Sequence, residues 1–595
     1  MQIIELLPIE LHQIILNCCN LKTQINIMSQ HTLLYNNLFI YQLWPKPVFT
    51  HSIIVKNDTG PVTTKDDAIE TPGKGPWTRY DKYINSLTNE ILKQKKFDKV
   101  CSLIIATNTK VSSGIAHMKN LQCLDISIED VSDWNTYRCV SESEIQGDDV
   151  VFDPFKETLR YAYIKNRHLK TLNLFELKMD NNTNITKIAH MSNLRVLSIG
   201  GNCGIDQKCI SKLNLIKLNC WNNDKIFDVS HMSNLRILSM GAVCNMSKKC
   251  ISKLKLLEKL DLDYNDNNYN ISHMKHLKKL NITGTKINQK SLQELNLYEL
   301  NVIANTKIND VSHMSNLRIL YASSSGLKQR GIENINLEKL YVSDNFDITN
   351  INHMTNLRLL DASDICGITN EGIININPHK LCLHDNSQIN ELSHMSNLRI
   401  LYASGSECAV CQNSIKNINL ERLYADYNKN ITSVSHMSNL RFLNADCSGI
   451  NQHGIEKINL YELSMNDTTK ITSVNHMSNL RILHANFSKL KQKGITDINL
   501  IHLAIENNKY INNLKHMTNL KILYAMGKKS KINNKSIKGL KLDELYIHEN
   551  KNNISHTSNI KYFNNKGFNY EFKYRNNYYY IETPDYFPIY YPDLK

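Results

Sequence analysis

Histidine is the side chain best suited to bind a metal or move a proton near neutral pH, and in this chain it returns at regular intervals. His190-Met191-Ser192-Asn193-Leu194-Arg195 recurs at His231, His313, His353, His394, His436 and His476, with lysine substitutions at His273 and His516 and a worn copy at His556. The steps from His190 onward are 41, 42, 40, 40, 41, 42, 40, 40 and 40 residues. If each step spans two stacked strands, successive histidines lie roughly 10 Å apart. One zinc, whose ligands sit about 2 Å from the ion, cannot be shared at that distance. The expectation is therefore structural: Met turns inward and His holds a turn, with no metal bound. Cys408-Ala409-Val410-Cys411 is a lone CxxC without the second pair that a zinc site needs. Cys203 and Cys244, like Cys209 and Cys250, recur at the repeat length and are expected to stack as small core residues. No Ser/His/Asp or Cys/His signature and no carboxylate pair stands out, so neither an enzyme nor a cofactor is expected.

Two further constellations could bind. Arg195, Arg236, Arg318, Arg358, Arg399, Arg441 and Arg481, with Lys278 and Lys521, follow the first leucine of each repeat and form a cationic stripe. Such a stripe is either a track for an acidic partner or a solvated edge paired with nearby acids; the second is the simpler reading. Tyrosines recur at one strand position (Tyr321, Tyr341, Tyr402, Tyr424, Tyr524 and Tyr546), and Trp221 lies two positions beyond it. Strand side chains alternate between faces, so these residues point away from the core. Tyrosine on an exposed sheet anchors protein interfaces, because it buries a large area at low entropy cost. The concave strand face is therefore expected to hold a protein partner.

These residues must be positioned by a repeat, and each forty-residue unit splits in two. Leu317-x-x-Leu320-x-Ala322, Leu337-x-x-Leu340-x-Val342 and Leu357-x-x-Leu360-x-Ala362 follow one another at twenty residues. The half ending in His-Met carries Asn182, Asn223, Asn265, Asn305, Asn345, Asn386, Asn428, Asn508 or Asn550 after its last apolar strand position, with two residues between. This pattern resembles the leucine-rich repeat, in which stacked coils share one apolar column. The asparagine would satisfy backbone groups between coils. The expected fold is an α/β repeat solenoid, an arc of about twenty coils of about 20 residues. Cys366-Gly367-Ile368-Thr369-Asn370-Glu371-Gly372-Ile373 and Cys447 to Ile455 resemble the phrase of cysteine-containing leucine-rich repeats. Twenty residues per coil leave room only for turns or 3₁₀ segments on the outer face.

The first 44 residues differ. Leu7-Pro8-x-Glu10-Leu11-x-x-Ile14-Ile15, then Leu21 and Ile25, resembles the start of an F-box, a small helical module. That resemblance implies docking on the adaptor subunit of an SCF-type ubiquitin ligase through Leu7, Pro8, Leu11, Ile14 and Ile15. The chain would then be a substrate-recognition adaptor; the alternative is a binding scaffold whose N-terminus only caps the solenoid. Residues 45–99, with Pro45, Pro47, Pro61 and Pro72, are expected to form a linker and, from Trp77 to Phe97, a lead-in helix. The solenoid would run from 100 to 560, interrupted by an acidic insertion at 129–156, with a Tyr-rich cap at 561–595.

Of the 595 residues, 70 are Lys or Arg and 56 Asp or Glu, a net charge of +14. Spread over a long surface this is mild and argues against nucleic acid as the partner. Fifteen cysteines without framework spacing fit a reducing compartment. No signal peptide or apolar stretch long enough to span a bilayer is evident. An intracellular, cytoplasmic protein is expected. The abundance of Asn, Ile, Lys and Tyr suggests an A/T-rich genome, such as a protist's or a large protist virus's, with the host cytoplasm as the compartment in the viral case.

Overall fold

In the computed structural model the described residues are 164–547 without a break, together with 52–55, 82–83, 102–105, 113–117, 121–127 and 562–564. The F-box-like residues, the acidic insertion and all of the C-terminal cap except 562–564 lie outside them. The chain divides into two units, residues 1–377 and 378–595, each a stack of coils with parallel strands of two to four residues.

Register fixes the stack. In the first unit Leu280 pairs across to Leu300, Leu300 to Leu320 and Leu320 to Leu340. In the second, Leu401, Leu423, Leu443, Leu463 and Leu483 line up in the same way. Each is 0–2% exposed, and full burial of one leucine is worth about 1.5–3 kcal/mol. Such leucines are buried only because each coil covers the next. No helix among the described residues is long and apolar enough to cross a membrane. The outer side carries single turns of α- or 3₁₀-helix, such as Gln329–Ile332, Gln452–Ile455 and Gln492–Gly494, while the His-Met coils turn there without helix. This is the leucine-rich-repeat solenoid that the spacing predicts, with the short outer segments expected of twenty-residue coils.

The expectation for 45–99 needs correction. Ser52–Val55 is a strand that pairs in parallel with Ser102–Ile105 on one side and Lys82–Tyr83 on the other. Lys82–Tyr83 falls where a helix was expected. The run Ser52-Ile53-Ile54-Val55 is β-branched and favours a pleated strand, a signal outweighed in the sequence by the surrounding prolines. Beyond the other end, Tyr562–Asn564 adds a strand against Glu544–Ile547, inside the stretch assigned to the cap.

After each strand the chain turns outward through one residue in the left-handed region. Tyr264, Tyr427 and Phe487 have φ of 52°, 59° and 55°, a conformation costing roughly 1–2 kcal/mol for such side chains. It is held because their N–H groups still reach the next coil, donating to Thr283, Asp446 and Glu506 carbonyls at 2.8 Å.

One to three residues further stands a column, mostly buried, in which asparagine alternates with Cys, Ser or Thr except at Ser448, Thr468 and Ser488. Asn428 is 1% exposed. Its Nδ2 donates to the carbonyls of Ala403 (2.9 Å) and Val410 (3.0 Å) in the preceding coil. Its Oδ1 accepts from the N–H groups of Asn430 and Ile431 in its own. Asn305, at 0% exposure, repeats the arrangement on Thr285, Ile287 and Lys307. The expected role of the asparagines is thus the observed one. The cysteines are different: Cys203 and Cys244 occupy this column two coils apart, with Asn223 between, so they do not stack on one another. Cys244 instead meets Cys220, Sγ to Sγ at 3.5 Å. Cys250 accepts the N–H of Val229, and Cys209 donates to the Thr186 carbonyl.

The recurring His-Met phrase is architectural throughout. Met314, Met354, Met437 and Met477 are fully buried. His313, His353, His436 and His476 each place Nε2 2.8–3.0 Å from a carbonyl of the preceding outer turn (Leu292, Ile332, Ile415 and Ile455). The Asn of the phrase donates its N–H to an asparagine one coil back, as Asn439 does to Asn419 Oδ1 at 3.0 Å.

A second bracket runs the other way. Gln412 reaches forward one coil, accepting on Oε1 from the N–H groups of Thr432 (3.0 Å) and Ser433 (2.8 Å). Its Nε2 donates to the Ser433 carbonyl at 2.9 Å. Gln329, Gln452 and Gln492 do the same. Gln412→Ala removes all three bonds, and at 0.5–1.5 kcal/mol each, partly offset by water, the expected loss is about 2 kcal/mol. Urea unfolding followed by circular dichroism would read it; an unchanged midpoint would reduce the bracket to decoration.

Candidate ligand-binding face

Each strand presents its first and third residues on one face and buries the leucine between them, as the burial of Ile400-Leu401-Tyr402 and Arg422-Leu423-Tyr424 shows. Parallel register brings equal positions of adjacent coils together, so the face is built from columns. In the first unit the third column is polar for most of its length. Asn219 donates to Ser198 Oγ at 2.9 Å and Ser198 to Asp180; Asn281 donates to Asp261 at 3.0 Å. In the first-position column beside it, Lys279 pairs with Glu299 at 2.6 Å. The third column then becomes aromatic: Tyr321 and Tyr341 stack with centroids 4.5 Å apart and planes 14° from parallel. Burial pushes the Tyr321 hydroxyl above its usual pKa.

The second unit carries two aromatic clusters. Tyr402 and Tyr424 stack at 4.1 Å and 5°, and Phe442 leans on Tyr424 at 4.6 Å. Cations frame them, with Lys380 Nζ 4.9 Å from the centre of the Tyr402 ring and Arg422 5.9 Å from that of Phe442. Further along, His484, His502, Tyr524 and Tyr546 form a chain of ring contacts, ending in a Tyr524–Tyr546 stack at 4.2 Å. Burial holds His484 down to about 4, helped by the neighbouring His502, and burial also lowers His502. At the strand exits Asp446 accepts from Ser464 Oγ (2.7 Å) and from Asn466 N (2.7 Å) and Nδ2 (2.9 Å). Its removal from water still pushes it up to about 6.

The six tyrosines singled out in the sequence therefore form three stacked, half-exposed pairs, one in the first unit and two in the second. Trp221 is elsewhere: its N–H donates to Asn219 Oδ1 at 3.1 Å, and its indole fills the space left by Gly241, where a Cβ would fall 2.5 Å from the ring. Not every position of the column is open either. Asp361, Ser464 and Ala504 are 3%, 8% and 4% exposed, because short side chains sink between larger neighbours. Leu7, Pro8, Leu11, Ile14 and Ile15 lie outside the described residues. Sequence reasoning missed Phe442, His502, Lys380 and Arg422, which occupy the first strand position. That position lies on the same face as the third, and its two-residue spacing from the tyrosines was the available signal.

The cationic stripe is also reassigned. Nη1 of Arg318, Arg399, Arg441 and Arg481 donates to two carbonyls of its own turn, for example Ser438 (3.0 Å) and Leu440 (2.9 Å) for Arg441. For these four arginines the expected pairing with acids gives way to capping of the turn that precedes each strand, whereas Lys278 of the same stripe does pair with an acid, Glu258, at 3.7 Å.

No protein-family model matches the chain, and no curated protein matches it. Among solved structures it is similar to that of the TLR13–ssRNA13 complex, with a TM-score of 0.42 and 15% identity over 78% of this chain and 84% of that one. It is also similar to a leucine-rich-repeat protein of Leptospira interrogans, with a TM-score of 0.30 and 16% identity over 76% and 97%. A third is the leucine-rich-repeat ectodomain of the Arabidopsis thaliana receptor kinase GASSHO1/SCHENGEN3 in complex with CASPARIAN STRIP INTEGRITY FACTOR 2, with a TM-score of 0.30 and 14% identity over 81% and 71%.

Proposed function

We propose that this chain is an intracellular binding solenoid without chemistry of its own, which captures a protein on its strand face. The stacked tyrosine pairs carry the reading. Stacking leaves each pair as one rigid, half-exposed aromatic block, already ordered before a partner arrives, so little side-chain entropy remains to be lost on binding. Lys380 and Arg422 beside the Tyr402–Tyr424 block add charges that favour an acidic segment on the partner. The finer proposal, supported by the F-box resemblance of Leu7, Pro8, Leu11, Ile14 and Ile15, is that the captured protein is a substrate delivered to an SCF-type ubiquitin ligase. Transfer would then belong to the recruited enzymes.

Two double variants in a pull-down from cell lysate separate these statements. Tyr402→Ala/Tyr424→Ala should lose the captured protein, by roughly ten- to a hundredfold for a pair of interface anchors, while retaining the ligase adaptor. Leu7→Ala/Pro8→Ala should do the reverse. Capture unaffected by the tyrosine variant would refute the strand-face reading, and an adaptor never recovered by wild type would leave a scaffold with no ligase link.

A further inference from the structure

The positive charge is not spread along the chain. Residues 489–541 hold twelve lysines, no arginine and two acids, Asp497 and Glu506, a net +10 out of the chain's +14. Asp543 and Glu544 follow, at the start of the next strand. The fold gathers the central part of this charge on one side of three consecutive coils, at the turns that leave the strands.

The same local hydrogen bond marks the equivalent place in each of these coils. Ser488 Oγ accepts the N–H of Leu490 at 3.4 Å, Asn508 Oδ1 that of Tyr510 at 2.8 Å, and Ser530 Oγ that of Ile532 at 3.4 Å. These three residues are the same place in three coils, each buried. The residue after each is a lysine: Lys489, Lys509 and Lys531, all exposed. Coils repeat at about 4.8 Å, so three ammonium groups stand in a column. Lys493 and Lys535 flank it at matching places, two residues after the caps Lys491 and Asn533 of the outer helical turns.

Two aromatic rings stand among these charges. Phe487, in the left-handed turn just before Ser488, is 42% exposed, and Tyr510, just after Lys509, is 36% exposed. Lys509 Nζ lies 5.3 Å from the centre of the Tyr510 ring. Both rings sit on the same turns as the lysine column, away from the tyrosine pairs of the strand face.

We infer that the Lys489–Lys509–Lys531 column, with Phe487 and Tyr510, binds single-stranded nucleic acid without regard to sequence. A row of like charges repels itself and is relieved by a polyanion that shadows its full length. The cations are all lysine, whose ammonium is a mobile point charge suited to a phosphate backbone. A site for protein carboxylates would favour the rigid two-pronged guanidinium of arginine. The exposed rings offer stacking faces that every base can use, and only an unpaired strand has base faces to give.

The test uses the full chain and a fluorescein-labelled oligo(dT) of about 20 nucleotides, with anisotropy read as sodium chloride is raised. Five phosphate contacts predict a slope of log K against log salt of about −3.5 for a single strand, so affinity should fall roughly a hundredfold between about 50 and 200 mM salt. Lys489→Gln/Lys509→Gln/Lys531→Gln should flatten the slope by about 2. Phe487→Ser/Tyr510→Ser should weaken binding about tenfold or more while leaving the slope alone. Thermal melting of both variants checks that the coils remain folded. Absence of binding at low salt, or a triple lysine variant indistinguishable from wild type, overturns the inference. So does displacement of the oligonucleotide by poly-glutamate or by phosphatidylserine vesicles when the aromatic variant binds normally, since the surface would then serve an acidic protein or a membrane.

Discussion

Replacing Asn428 by alanine should cost about 3–5 kcal/mol, an unusually large loss for one polar side chain. Four hydrogen bonds meet at this amide, two to carbonyls of the preceding coil and two from N–H groups of its own. Three of the four are buried and the bond from Asn430 partly so, and each orphaned buried group carries a penalty of about 1–3 kcal/mol, softened where the backbone can relax. The chain itself supplies a milder control. The same column holds Ser448 and Thr468 in neighbouring coils, and Thr468 Oγ1 still donates to the Ala445 carbonyl at 3.2 Å. Asn428→Ser should therefore cost clearly less than Asn428→Ala. Urea midpoints for the two variants decide: equal losses would mean that the amide is not the source of the stabilisation.

The second large effect is in pH. His484 titrates near 4 in the folded chain, against about 6.5 for an exposed imidazole. A depressed histidine pKa means that the unfolded chain takes up the proton first. Stability is therefore complete above about pH 6.5, declines as pH falls towards 4, and then levels off. Between pH 7 and 4.5 this one group should remove about 2–3 kcal/mol. Asp446, raised to about 6, acts with the opposite sign: its folded form holds a proton that the unfolded chain releases, so acid stabilises it down to the ordinary carboxylate range. Wild type alone would show the sum of these and of other shifted groups, such as Asp263 and His502. Comparing it with His484→Gln isolates the histidine, and the variant should lose less stability than wild type on acidification. Parallel pH profiles for the two proteins would contradict the buried, neutral imidazole.

The two residues also show how far the sequence could be followed. The coils, their register and the asparagine column were legible because one apolar period governs all of them. The stacked tyrosines were legible because strands alternate and the column repeats every twenty residues. Phe442 and His502 were not picked out, since only one of the two open positions on each strand was followed. Asp446 lies two residues past its strand, where its burial depends on Ser464 and Asn466 of the next coil, a contact no local pattern announces. The glutamine brackets were visible as Gln207, Gln289, Gln329, Gln412, Gln452 and Gln492 opening the outer turns. Glutamine is ordinary on a surface, however, and only the hydrogen bonds to the following coil give it meaning. The lysines of 489–541 were overlooked for a simpler reason, because a charge averaged over the whole chain hides a local excess.

The brackets have a direction. Histidine reaches back from each His-Met coil to the coil before it, glutamine reaches forward across the same boundary, and the buried asparagine spans it too. At the opposite boundary side-chain brackets are fewer: Asn352 and Asn475 reach across to the following outer turn, whereas elsewhere backbone meets backbone, as where Gly449 donates to the Asn428 carbonyl at 2.9 Å and a Cβ would fall 2.2 Å from the Lys429 carbonyl oxygen. The chain is thus masonry laid in courses of two, mortared more heavily within each course than between them. Drawn from one end, it should part at the more thinly bonded joints and release forty residues at a time, so that length is gained or lost in even numbers of coils.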